Sequence, residues 1–120
     1  MRDGIWLVGF DDLYAGESDL KKALAGVPES AYKIALFHSP IYFEIEAGHS
    51  DLVLAGHSHG GQVKLPFIGA PYSQPFCGRF MEGWYELHGT KMYVSRGVGT
   101  SIMDVRFWYR PEIAIITLAE

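Results

Sequence analysis

The chain has 120 residues, 48% of them hydrophobic and 20% charged, with a formal net charge of −4. That is the composition of a globular protein and the length of at most one small domain, without the clustered positive charge that a nucleic-acid backbone demands. The single cysteine, Cys77, excludes an intrachain disulfide, and no apolar run approaches the roughly 20 residues that span a bilayer.

Residues 5–10 (IWLVGF) form a short apolar run that suits a strand buried on both faces. A helix is expected next, with Ser18 as N-cap, Leu20, Ala23 and Leu24 on one face, Gly26 as its stop and Pro28 just beyond. Residues 33–38 (KIALFH) read as a second buried strand, ended by Ser39-Pro40 because the residue before proline is pushed out of the helical region. Residues 41–47 suit one or two helical turns closed by Gly48, and residues 51–55 (DLVLA) a third strand that runs into Gly56-His57-Ser58-His59-Gly60-Gly61. Residues 66–79, rich in Pro, Gly and Ser, read as a long surface loop. Residues 84–87 and 91–95 flank a tight turn at His88-Gly89-Thr90 and form an expected antiparallel hairpin, and residues 112–118 an expected last strand. The order predicts an α/β class with a mixed sheet and no internal repeat.

Three histidines fall at the C-terminal ends of expected strands: His38 after KIALF, and His57 and His59 after DLVLAG. Ligands of open α/β sheets bind at that edge. A lone strand-end histidine is commonly a hydrogen-bonded structural residue, but a core needs neither two histidines nor three glycines in one loop. The two rings converge only if the backbone leaves regular strand pleating, and Gly56, Gly60 and Gly61 are expected to supply that freedom. Neutral imidazole suits Zn, Mn, Fe or Ni, so a divalent-metal site is the reading these residues favour.

GHSHGGQ at positions 56–62, with the strand before it and the FHSP segment holding His38, resembles the last two metal-binding motifs of the calcineurin-like metallophosphoesterases. VKLPFIGAP, SRGVGTS, RPEIAIITL and the opening GFDDLYAG are similar to a bacterial, often membrane-associated branch of that family, which includes enzymes acting on nucleotide-linked lipid precursors. The resemblance implies half of a four-layer α/β/β/α sandwich, mixed sheet with C-terminal hairpins, and a dimetal centre that activates water against a phosphate ester. It implies that His38 and His57 bind one metal and His59 the other, with Gly60, Gly61 and Arg96 at the substrate.

The same family pattern contains an upstream D-x-H, a G-D-x-x-D and a G-N-H-D/E. None occurs here, and the chain has no asparagine at all. Residues 1–120 are therefore read as a single partial domain, the C-terminal half, that carries no catalytic residue of its own. Such a chain is expected to bind at most one ion, to be inactive alone, and to self-associate through the sheet surface its missing partner would cover. A complete domain would hold two ions. A phosphate-ester substrate and a missing N-terminal half are the implied partners, and membrane association would come only through upstream sequence. The competing reading is a non-catalytic remnant that binds one metal ion or a complementary half. A redox metal protein is disfavoured because no cysteine or methionine accompanies the histidines.

Other residues carry plainer expectations. Asp11 and Asp12 are expected to bond turn amides rather than a metal, and His49 and His88 to face solvent. Arg79, Arg96 and Arg106 could reach a phosphate, Arg96 being best placed, with structural bonds to carbonyls as the alternative. The aromatic run Phe107-Trp108-Tyr109 and Pro66-Phe67-Ile68 could contact lipid or an apolar substrate, with filling the space between sheet and loop as the more usual role.

Overall fold

The structure is a computed structural model, and it describes residues 4–102 and 104–119. Strands β1 (Ile5–Gly9), β2 (Tyr32–Leu36), β3 (Leu52–Ala55), β4 (Gly83–Leu87) and β5 (Thr90–Val94) form one sheet in the order β1-β2-β3-β5-β4. All neighbours are parallel except β4 and β5, which pair antiparallel at the edge. This is the mixed α/β sheet expected from the apolar runs, with a single hairpin at one side.

Register explains where the core lies. Val8, Ala35, Val53, Met92 and Tyr85 stand in one row across the five strands. Because side chains alternate between faces, this row shares a face with Ala55 and Val94. Helical segments Pro40–Tyr42, a single 3-10 turn, and α2 (Phe43–Glu46) bring Tyr42 and Phe43 to the core, where Phe37 and Phe80 complete it. Ser39 caps that 3-10 turn in an extended conformation (φ −90°, ψ 109°), as the following proline requires. The opposite face carries Leu7, Leu36 and Trp84, which are 60%, 38% and 55% exposed, while Ile34 and Leu52 on the same face are buried, so this face is open only in part.

α1 (Leu20–Ala23) is capped by Asp19 rather than Ser18: the Asp19 carboxylate accepts from Lys22 N, whereas the Ser18 hydroxyl turns back to the Asp11 carbonyl. Gly26 follows in the left-handed region (φ 78°), as a helix stop should. The β4–β5 hairpin turns through His88 (φ 50°) and Gly89 (φ 81°), the positive pair that matches strand twist in a two-residue loop.

The expected last strand is not a strand. Residues 112–118 alternate well enough for one, but the segment joins neither edge of the sheet, β1 or β4, and lies instead over the face opposite the core. Ile116, Thr117 and Leu118 border a cavity with Ile5, Tyr32, Leu52 and Trp84. Glu112 pins its start, accepting from the Tyr93 hydroxyl (2.5 Å) and donating its backbone N–H to the Gly97 carbonyl (2.9 Å). No described helix is long and apolar enough to cross a membrane.

Candidate metal centre

β2 and β3 are adjacent, parallel and central, so the loops leaving their C-terminal ends rise side by side. The Gly56 amide donates to the His38 carbonyl (3.3 Å), which ties the two loops together just past the ladder. The result is a direct meeting of side chains: His38 Nε2 lies 2.9 Å from His57 Nδ1, with ring centroids 4.6 Å apart. The other nitrogen of His57, Nε2, lies 2.7 Å from the Pro75 carbonyl oxygen.

These distances fix protons. A carbonyl oxygen only accepts, so His57 Nε2 carries the hydrogen and, in the neutral ring, Nδ1 holds the lone pair. His38 Nε2–H then donates to it. The pKa of His38 is lowered, first by burial and then by the charge of His57, with Asp12 opposing. Its neutral form, the one that binds metals, is favoured.

The pair fits a divalent ion. With metal–nitrogen bonds of about 2.0–2.1 Å, two imidazole nitrogens at neighbouring positions on one ion stand about 2.9–3.4 Å apart. The observed 2.9 Å falls at that lower bound. A ring whose second N–H is anchored on a carbonyl is also the usual state of a ligating histidine. Ligation through both nitrogens requires the proton between the two rings to leave. Both line a cavity of about 520 Å³ with Asp12, Tyr72 and Gln74.

His59 is held apart from the pair. Its Nδ1 sits 3.2 Å from the Gly99 carbonyl and 3.4 Å from Arg106 Nη2. Among the described residues no group of three or more histidine, cysteine, aspartate or glutamate side chains is placed to hold one ion. Two imidazoles and a separate third are what this chain brings to the edge of the sheet.

The loop reaches this arrangement through strain in the histidines as well as freedom in the glycines. His57 (φ 65°), His59 (φ 48°) and Gln62 (φ 61°) occupy the left-handed region alongside Gly60 and Gly61, whereas Gly56 does not. Such a conformation costs about 1–2 kcal/mol at a non-glycine residue, and it persists where surrounding bonds enforce it. Ser58 is one of those bonds: its buried hydroxyl accepts from Gly60 N (3.2 Å) and donates to the Met81 carbonyl (2.5 Å). Gly60 and Gly61 are themselves buried. A Cβ on Gly61 would lie 2.7 Å from Ala70 Cβ and from the Tyr72 carbonyl, and one on Gly60 3.0 Å from the Tyr109 ring.

The remaining candidates fall as follows. Arg96 is committed to Glu112, which it meets through Nε (2.7 Å) and Nη2, with Glu82 at 3.7 Å. Asp11 and Asp12 bond turn amides: Asp12 accepts from Tyr14 N (2.6 Å) and Ala15 N (3.1 Å), Asp11 from Glu17 N (3.1 Å). Asp12 does more than cap, since its second oxygen lies 3.4 Å from the Ser39 hydroxyl and at the wall of the histidine cavity. His49 and His88 are exposed, as is Arg79, whose guanidinium lies over the Phe80 ring at 5.1 Å. Cys77 is fully buried and burial pushes its thiol up to about 11, so it is no thiolate ligand. Tyr109 is buried but Phe67, Phe107 and Trp108 are exposed, so that aromatic run fills space only in part. The carbonyls of Pro75 and Gly99 escaped the sequence, because any residue offers one and no motif marks it.

No protein-family model matches the chain, and no solved structure matches it significantly. Curated relatives do. The chain is 35% identical over 115 residues to the uncharacterized metallophosphoesterase YkuE of Bacillus subtilis, covering 95% of this chain and 40% of that protein. It is 34% identical to the phosphodiesterase YaeI of Escherichia coli (93% and 40% covered), and 30% identical to the UDP-2,3-diacylglucosamine pyrophosphatase LpxG of Chlamydia muridarum (97% and 38%). The chain thus spans about 40% of the length of these relatives. Over nearly all of its own length the chain is similar to part of proteins of the metallophosphoesterase family.

Proposed function

We propose that this chain supplies part of a divalent-metal centre for the hydrolysis of a phosphate ester, with His38 and His57 on one ion and His59 on a second. The single observation that carries the reading is the 2.9 Å approach of His38 Nε2 to His57 Nδ1, with His57 locked on the Pro75 carbonyl. When bound, such ions supply Lewis acidity to a phosphoryl oxygen and acidify a water. The protein's own part is placement. Pro75 fixes which nitrogen of His57 faces the cavity, partial desolvation lowers the His38 pKa and so favours its neutral form, and Asp12 sets a carboxylate at the wall.

Imidazole donors suit Zn, Mn, Fe or Ni, and the family implies divalent ions without selecting among them. A second cavity of about 290 Å³ shares Tyr72, Gln74 and Ile102 with the histidine cavity and is lined by Gly61, giving the organic part of an ester a place beside the metal. Arg96 holds Glu112 through Nε and Nη2, so a phosphate would meet its Nη1 or displace Glu112. The names of two relatives, a phosphodiesterase and a pyrophosphatase, make a phosphodiester or pyrophosphate the first substrate to try.

The test is turnover of bis(p-nitrophenyl) phosphate with added Mn(II) or Zn(II), by the chain alone and by a longer protein that completes a relative-length domain around it. The expected result is negligible turnover by the chain alone, and turnover by the longer protein that His57→Ala abolishes. Undiminished turnover after His57→Ala overturns the reading. A non-catalytic role is favoured by one observation, the lack of a three-donor cluster among the described residues. It predicts metal binding without turnover in both proteins.

A further inference from the structure

Arg106 lies in the loop after β5, and the next residue brings it to the histidine loop. Phe107 donates its amide to the Gln62 carbonyl (2.9 Å) and accepts from Lys64 N (2.9 Å), clamping this segment along the exit of the His-x-His turn. The Arg106 side chain then turns inward. Its Nε donates to the Gly99 carbonyl (2.8 Å), while Nη2 reaches the carbonyls of Arg96 (2.7 Å), Gly97 (3.3 Å) and Gly99. One guanidinium thus gathers the loop 96–99 and presses it on His59, near enough that a Cβ on Gly97 would lie 4.0 Å from His59 Nδ1.

Two groups compete for that Nδ1: the Gly99 carbonyl, which only accepts, and Arg106 Nη2, which only donates. Nη2 has two hydrogens and three carbonyls already within reach, and the carbonyl is also the nearer to Nδ1, 3.2 against 3.4 Å. The proton on the ring therefore belongs to Nδ1 and points at Gly99, leaving the lone pair on Nε2 at the far side. His57 shows the same logic with the nitrogens exchanged, its Nε2–H resting on Pro75.

We infer that Arg106 is a positioning residue: by holding the Gly99 carbonyl against His59 it sets that ring's tautomer and aims Nε2 outward as a ligand. The inference deepens the proposed function, since it rests on His59 serving as a metal ligand. Groups that orient a ligating histidine in this way are worth about 10–100-fold in metal affinity. Lysine cannot replace the planar fork, because it offers a single nitrogen where two of the guanidinium's are used.

The experiment has two arms that fail separately. Nitrogen-15 NMR of the metal-free chain at alkaline pH reads the tautomer of each ring without reference to metal. The expected result is Nδ1–H for His59 and Nε2–H for His57 in the wild type, with Arg106→Lys and Arg106→Gln releasing His59 to a mixture while His57 is unchanged. Titration with Co(II) of a longer protein that completes the domain is expected to show affinity for the ion at His59 reduced about 10–100-fold in the same variants. A wild-type His59 protonated on Nε2 overturns the inference, even if neither variant folds. So does a His59 tautomer that survives both substitutions, which would leave Arg106 a loop staple only. Correct tautomers with no Co(II) bound by the wild type would instead sink the metal reading of the preceding section.

Discussion

Glu46 offers a quantitative test of the fold, independent of the site. It sits in α2, fully buried, with Oε1 accepting from the Ser50 hydroxyl and Oε2 lacking any partner among the described residues. Burial is the main cause that raises its pKa from 4.5 to about 7, against the opposing Ser50 bond. The folded chain thus keeps its proton where the unfolded chain has lost it. Below about pH 4.5 both states are protonated and the group is neutral to stability; between about 4.5 and 7 only the folded state binds the proton, so stability falls as pH rises, and above 7 the full penalty stands. At about 1.4 kcal/mol per pH unit, the loss between pH 5 and pH 8 is roughly 2–3 kcal/mol. Glu46→Gln removes the ionisation while keeping an acceptor for Ser50. Urea unfolding followed by tryptophan fluorescence at both pH values should show that the variant escapes this loss. The amide NH₂ brings its own burial cost of about 1–3 kcal/mol, so the difference between the two pH values is the quantity to read. Equal pH dependence of variant and wild type would refute the buried, unpaired carboxylate.

Gly61→Ala should destabilise the chain by about 2–3 kcal/mol in a thermal or urea melt, because the added methyl meets Ala70 and the Tyr72 carbonyl at 2.7 Å and the backbone is left-handed there. Ser58→Ala should cost about 1–2 kcal/mol by leaving Gly60 N and the Met81 carbonyl short of a partner, and should loosen the His57–His59 turn to amide hydrogen exchange. Leu7→Lys, on the open sheet face, should lower self-association in sedimentation velocity while shifting stability by no more than about 0.5 kcal/mol.

Much of this was written in the chain. Apolar runs placed all five strands to within a residue or two and His88-Gly89 marked the hairpin, but β1, expected to be buried on both faces, is an edge strand with Leu7 60% exposed. Three strand-end histidines were expected to share one pocket at the sheet edge; His38 and His57 meet there and His59 does not join them. Residues 112–118 misled because alternation says only that a segment could pair, and here the segment joins neither free edge of the sheet. Ser18 against Asp19 turned on which side chain a neighbouring carbonyl captured first. The strain in His57 and His59, the commitment of Arg96 to Glu112, and the turn of Arg106 toward backbone carbonyls arise from contacts far apart in sequence. No local pattern encodes them.

The most direct measurement is a Co(II) titration of the chain, read by visible absorption, beside His38→Ala, His57→Ala and the exposed-site control His88→Ala. The account expects binding that either His38→Ala or His57→Ala removes and His88→Ala leaves intact. Unchanged binding in the His38→Ala, His57→Ala double variant would contradict it.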